Sequence, residues 1–388
     1  MKKLISLIMV LVTCVSFVAC KAPAPTANSS APEAATSAPE TAVTASNLNI
    51  PSDLPKFKIL VREMNFTNTL YAGWKKALES LQKQFNVEFV FVETGGSTDA
   101  SKQALESALQ TGINGSLDLG LTEQDVQIML PSNCATVMYS SEPTDEATAA
   151  AMAGYTNYLG SIDEDNYGSG VKAAEALYQA GCKNIAIAGL TKGIAKLMDE
   201  RLRGFMDGIA KHPEMKIIAE DYSMVEFAKA ISTFAAAYPE MDGVYVSLIN
   251  ESVFQAFATE GLVGRVKLAG WDISDSTKDY IENGTLVYTG AGQEGSILAA
   301  FAVLYNYLYD GTYLIPDRAM TVPRAYIDIL TADDYDNYMT YIVNSPAYTP
   351  DEVAGMIKAF NPSFTYEQFV DLNKNYSLDD IMQRHAGQ

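Results

Sequence analysis

Between residues 57 and 309 short apolar runs alternate with longer stretches of helical spacing, and this rhythm restricts the fold more than any other feature of the chain. Strands are predicted at 57–61, 87–92, 116–121, 135–139, 184–188, 216–219, 243–247, 266–270 and 285–289. Helices are predicted at 71–85, 99–109, 123–130, 170–180, 195–209, 224–238, 252–260 and 296–309. The first helix shows the reasoning: Leu70, Trp74, Ala77, Leu78 and Leu81 recur at steps that bring them to one face. A strand that rejoins its sheet through a helix runs parallel to its predecessor, and right-handed crossovers then give doubly wound α/β sheets covered by helices on both sides. Such sheets bind ligands beyond the carboxyl ends of their strands. The chain is long for one core of this kind and suits two lobes.

From residue 331 onward the chain is acidic and aromatic, with several short helical patterns and no clear strand. It reads as a C-terminal helical extension, a solvated cap on the body. Asp371, Asn373, Asn375 and Asp379 resemble part of a calcium loop, but Tyr376 stands where that loop needs glycine and Met382 where it needs glutamate, so no metal is expected.

The other end carries export signals. Lys2 and Lys3 precede an apolar run over 4–19 that closes on Ala19-Cys20. A charged start, a short apolar core and a small residue before the cut mark a secretory signal. A cysteine directly after it points to a bacterial lipoprotein, with Cys20 lipidated as the new N-terminus; an ordinary signal cut near Ala19 or later is the alternative. The expected order is therefore a signal peptide over 1–20 and a tether over 21–52, rich in Ala, Pro, Ser and Thr. That composition buries too little apolar surface to offset the entropy of ordering. No later segment is long and apolar enough to span a bilayer.

The formal net charge of −20 argues against nucleic acid as a partner. Two histidines, His212 and His385, are too few for a histidine-based metal site or triad. Without Cys14 and Cys20, Cys134 and Cys182 remain in the body, each beside a strand and expected as a buried thiol, with a disulfide open in that compartment.

Several segments are similar to the ribose- and galactose-binding family of type I periplasmic proteins of ABC importers, whose fold the LacI-type repressor cores share. Asp165-Asn166-Tyr167-Gly168-Ser169-Gly170 followed by Val171-Lys172-Ala173-Ala174 resembles the family's passage into its second lobe. Gly181-Cys182-Lys183-Asn184-Ile185-Ala186-Ile187 resembles the next strand, and Arg201-Leu202-Arg203-Gly204-Phe205 its arginine and Gly-Phe helix. Val266-Lys267-Leu268-Ala269-Gly270-Trp271-Asp272 resembles a strand ending in Gly, an aromatic residue and Asp. The resemblance spans residues 56–330. It implies two doubly wound parallel-sheet lobes joined by a three-strand hinge, closing over a ligand. The N-terminal lobe would take 53–162 and 294–322, the C-terminal lobe 163–293 and 323–332, and the extension 333–388.

By that resemblance Trp271 packs on a sugar ring and Asp272 accepts from its hydroxyls, which is sound chemistry for a ligand with apolar C–H faces and paired hydroxyls. A core tryptophan and a capping aspartate are the competing reading. Asn250 corresponds to a cleft asparagine, or caps the next helix. Arg201 lies near the family's ligand arginine, although Asp199 occupies the register used by some members and a surface ion pair competes. The first loop carries Arg62, Glu63, Asn65, Phe66 and Tyr71, from which Asn65, Phe66 and Tyr71 are the candidates. After the strand at 135–139 the family's Asp-Arg is replaced by Ser140-Ser141-Glu142, which leaves open a modified sugar, a polyol or another small polar solute.

Gly290-Ala291-Gly292-Gln293-Glu294-Gly295 fits the dinucleotide fingerprint. It falls late in the chain and not in the first strand–helix–strand unit, and the resemblance places a hinge crossing there with Gln293 reaching the ligand. No nucleophile elbow, zinc-type His pair or P-loop occurs, so neither an enzyme nor a cofactor is expected. A repressor of the same fold would need a basic helix-turn-helix in place of the export signal. The expected function is a lipid-anchored solute-binding protein that delivers a sugar-like ligand to an ABC permease. A ligand-sensing accessory of a sensor kinase or chemoreceptor is the alternative.

Overall fold

The computed structural model describes residues 48–386 except Asn68, Met224 and Val225. The predicted signal peptide, Cys20 and nearly all of the tether lie outside the described residues. Among the described residues no helix is long and apolar enough to cross a membrane.

The first lobe is built on β1 (Phe57–Glu63), β2 (Val87–Glu93), β3 (Gly115–Asp118), β4 (Ala135–Tyr139) and β5 (Tyr158–Glu164). Its helices are α1 (Thr69–Phe85), α2 (Thr98–Gln110), α3 (Glu123–Met129) and α4 (Glu146–Gly154). The second lobe holds α5 (Asn166–Gln179), β6 (Asn184–Ala188), α6 (Lys196–Ile209), β7 (Lys216–Asp221), α7 (Phe227–Ala237), β8 (Gly243–Val246), α8 (Glu251–Thr259), β9 (Lys267–Trp271), α9 (Thr277–Glu282) and β10 (Leu286–Ala291). The chain then returns through α10 (Glu294–Asp310), adds β11 (Thr321–Arg324) to the first sheet and β12 (Ile327–Ile329) to the second. Strand order is β11-β5-β4-β3-β1-β2 in one sheet and β12-β10-β9-β8-β6-β7 in the other. Every pairing is parallel except that of β12 with β10.

β1 shows why these runs become central strands. Ile59, Leu60 and Val61 are all buried, so both faces are covered, and a continuous apolar run is what such a strand requires. The chain passes between lobes three times: after β5, between β10 and α10, and between β11 and β12. At the second crossing Gly292 takes φ of 98°, and a Cβ there would lie 2.9 Å from Ile327 Cγ1.

α10 is apolar around its whole circumference, so it needs cover on both sides. One side packs on the first sheet and the other on the extension, made of α11 (Ala332–Tyr338), a π-helical turn (Met339–Val343), α12 (Pro350–Gly355), α13 (Tyr366–Lys374) and α14 (Leu378–His385). The extension is therefore not the solvated cap expected from its composition. Tyr338, Tyr348, Phe360 and Tyr376 are buried in the same core as β1 and α10. Asn306 of α10 is held by Met356 O and by the Lys358 amide, at 2.9 and 2.8 Å. Of the four residues that resemble part of a calcium loop, Asn373 on α13 serves this packing and accepts from Arg324 at 2.6 Å, while Asp371, Asn375 and Asp379 are exposed.

Cys134 and Cys182 are free and buried, one in each lobe, and burial pushes both thiols up to about 12.

Candidate functional site

The carboxyl ends of β1 and β3 in the first lobe face those of β8 and β9 in the second, and two adjoining cavities lie between them. The larger, about 360 Å³, is lined among others by Thr69, Asn250, Glu251, Asp272, Glu294 and Tyr338. The smaller, about 170 Å³, is bounded by Tyr71, Trp74, Met198, Arg201 and Leu248. Both touch Leu70, Asp272 and Gln293.

Asp272 sits where the two cavities meet. Its amide donates to Gly290 O at 3.0 Å and its carbonyl accepts from Thr289 Oγ1 at 2.6 Å, which ties the turn to β10. The residue holds φ of 71°, a left-handed conformation that costs a non-glycine residue about 1–3 kcal/mol. No described residue donates to its carboxylate, which therefore has acceptor capacity to spare. Burial raises its pKa and the Arg201 charge opposes that rise. Ser140, at the end of β4, also holds a positive φ, of 47°, and donates to Glu164 Oε1 at 3.1 Å.

Gln293, at the second crossing, lines both cavities, and its carbonyl accepts from Trp74 Nε1 at 3.0 Å. Asn250 combines the two roles that its position allowed: its Oδ1 accepts from Val253 N at 3.2 Å as the cap of α8, and the residue lines the larger cavity. Tyr71 projects from the first lobe against Trp74, with ring centroids 5.2 Å apart. Burial, then the charges of Glu63 and Asp272, push its hydroxyl up to about 12. Arg201 lines the smaller cavity yet is only 1% exposed. It donates to Asn166 Oδ1 at 3.1 Å and to the Tyr326 hydroxyl, and no described carboxylate pairs with it, so it is not a surface ion pair. Asp199 instead accepts from the Gly193 amide at 2.9 Å.

Three expected residues lie elsewhere. Trp271 is 0% exposed and lines neither cavity. Its indole fills the space that Gly290 leaves, donates to Ser169 Oγ at 3.1 Å, and lies 5.0 Å from the Arg201 guanidinium. It thus backs Arg201 instead of facing a ligand. Phe66 packs on Phe91, at 5.3 Å, on the first lobe, and Asn65 accepts from Thr67 N in a local turn. Neither lines the cleft; Thr67 and Thr69 do so from the same loop. Arg62 is sealed in an ion pair with Asp118 and Asp125, at 2.6 and 3.0 Å. Glu63 is buried beneath Tyr71 and bonded by Tyr139, and desolvation pushes it up to about 8.

Sequence reasoning missed Trp74, Glu294 and Tyr338. The helical spacing puts Trp74 on one face of its helix, and its indole N–H, a donor that needs a partner when buried, is the unused signal. Across the rim Lys196 of α6 pairs with Glu142, 2.7 Å away, joining the two lobes. Among the described residues no cluster of three His, Cys, Asp or Glu is arranged to hold a metal.

Residues 135–311 match the periplasmic binding protein domain family. The fold is that of the type I periplasmic binding proteins. Solved structures agree with that fold. A solute-binding protein of an ABC transporter from Actinobacillus succinogenes, solved with D-allose, superposes with a TM-score of 0.63 at 18% identity, over 73% of this chain and all (100%) of that one. One from Agrobacterium vitis with α-D-tagatopyranose gives 0.62 at 17%, over 74% and 98%. One from Bacillus halodurans with myo-inositol gives 0.61 at 14%, over 75% and 100%. No curated protein matches.

Proposed function

We propose that this chain captures a small polar solute, a sugar or sugar-like molecule, by closing its lobes, and delivers it to the permease of an ABC importer. Asp272 carries the reading. A strained strand-end residue presents an unpartnered carboxylate to both cavities, and such strain is retained where the surrounding structure holds it for a purpose. Around it stand the elements that sugar recognition needs. Tyr71 and Trp74 offer aromatic surface for C–H faces, and Gln293, Asn250 and Glu294 offer polar groups for hydroxyls. The sugars and the cyclitol bound by proteins of the same fold support that ligand class. The aromatic surface comes from the first lobe, not from Trp271.

The same proposal places the protein outside the cytoplasm, held to the membrane by a lipid on Cys20 and spaced from it by the tether. A thermal-shift screen of sugars, polyols, nucleosides and amino acids tests the ligand class, since a ligand that binds only the folded state raises its melting temperature. Stabilisation by monosaccharides or cyclitols is expected. Stabilisation by amino acids or nucleosides alone contradicts it. For the anchor, Cys20→Ala is expected to release the protein from membranes, and continued membrane association of that variant contradicts lipidation.

A further inference from the structure

The extension reaches the ligand cavity. Tyr338, the last residue of α11, is 1% exposed and lines the larger cavity. Its hydroxyl donates to Glu294 Oε2 at 2.7 Å and accepts from the Gly292 amide at 3.2 Å. Glu294, 3% exposed, lines the same cavity. The Glu294 backbone amide also acts on this carboxylate, and no other described side chain donates to its second oxygen, Oε1. Gly73 of α1 leaves room beside it: a Cβ there would lie 3.1 Å from Glu294 Cγ and 3.5 Å from Oε1.

We propose that Tyr338 is a positioning residue of the ligand site, holding one oxygen of Glu294 so that the other is presented as an acceptor to a ligand hydroxyl. The proposal rests on the sugar-binding reading above and adds to it a part of the chain outside the two lobes. Burial pushes Glu294 up to about 7, and the Tyr338 hydrogen bond acts against that rise, favouring the charged form that accepts best. The pair also sits on the second crossing between the lobes, so the occupant, the hinge and the extension meet at one hydrogen-bonded group.

The test is calorimetric titration of the full chain with D-allose, D-tagatose, D-galactose and myo-inositol, for the wild type, Tyr338→Phe, Glu294→Gln and the double variant. Tyr338→Phe keeps the ring that fills the core and removes only the hydroxyl. The compound that binds the wild type is expected to bind Tyr338→Phe about tenfold more weakly. In the Glu294→Gln background the same change is expected to cost clearly less, because the tyrosine acts through the glutamate. Wild-type affinity in Tyr338→Phe, or equal losses in both backgrounds, overturns the proposal and leaves the sugar-binding reading standing. No binding of any of the four by the wild type contradicts that reading and the proposal together.

Discussion

Asp272 and the two tryptophans divide the work of the cleft between them. Asp272→Ala removes the unpartnered acceptor and does not relieve the left-handed strain, since alanine adopts that conformation less readily than aspartate. The expected result is a loss of affinity above about tenfold, from a charged hydrogen bond worth about 1.5–3 kcal/mol, with the fold retained. Calorimetry with the ligand found by screening checks it, and unchanged affinity removes Asp272 from the site. The chain has only two tryptophans, and of these Trp74 borders the smaller of the two cleft cavities while Trp271 lines neither. In a Trp271→Phe variant, ligand binding is expected to change the remaining emission in a saturable way; an unaltered spectrum places the ligand away from Trp74. Asp272, Asn250 and Gln293 were singled out by the family resemblance, alternation locating only the strands that Asp272 and Asn250 follow, and all three line the larger cavity. Trp271 was misjudged because neighbouring residues of a strand point to opposite faces, and one cannot tell from a run of letters which face meets the cleft.

Elements were legible where they are buried in one uniform way. β1 and β4 are continuous apolar runs and α1 a clean stripe, and each was placed to within a few residues. β5 escaped because Gly160, Ser161, Asp163 and Glu164 break its apolar pattern, the polar residues lying at the first crossing where they serve the hinge. β11 escaped because it holds Pro323, which an edge strand tolerates and a central strand does not. The extension was visible as helices, but its burial was not, because only α10 in three dimensions shows that its outer face needs cover. Phe360→Ala is therefore expected to destabilise the protein by about 3–5 kcal/mol in urea unfolding, as for a core aromatic. A loss below about 1 kcal/mol would return the extension to a surface role.

At the scale of the molecule, burial makes several carboxyl groups harder to ionise in the fold than in the unfolded chain. Glu63 is pushed up to about 8 and Glu294 to about 7, while Asp163 and Glu164 are raised together at the first crossing, mainly by desolvation. The unfolded chain releases these protons in the ordinary carboxylate range, so the folded state binds more protons than the unfolded state above it. Stability from these groups is present at low pH and is lost as pH rises through 7 and 8. The melting temperature is expected to fall between about pH 5 and about pH 9, and Glu63→Gln to flatten part of that slope. A melting temperature that rises across that interval contradicts the assignment. These same carboxyls lie at the hinge and beneath the cleft, where two lobes joined at three crossings enclose a cavity that Asp272 and Gln293 share. The most direct measurement is a crystal structure with the sugar or cyclitol that the screen selects. Density for that molecule between the lobes, within hydrogen-bond distance of Asp272 and Gln293, is the predicted result; density anywhere else on the protein, with the cleft empty, contradicts it.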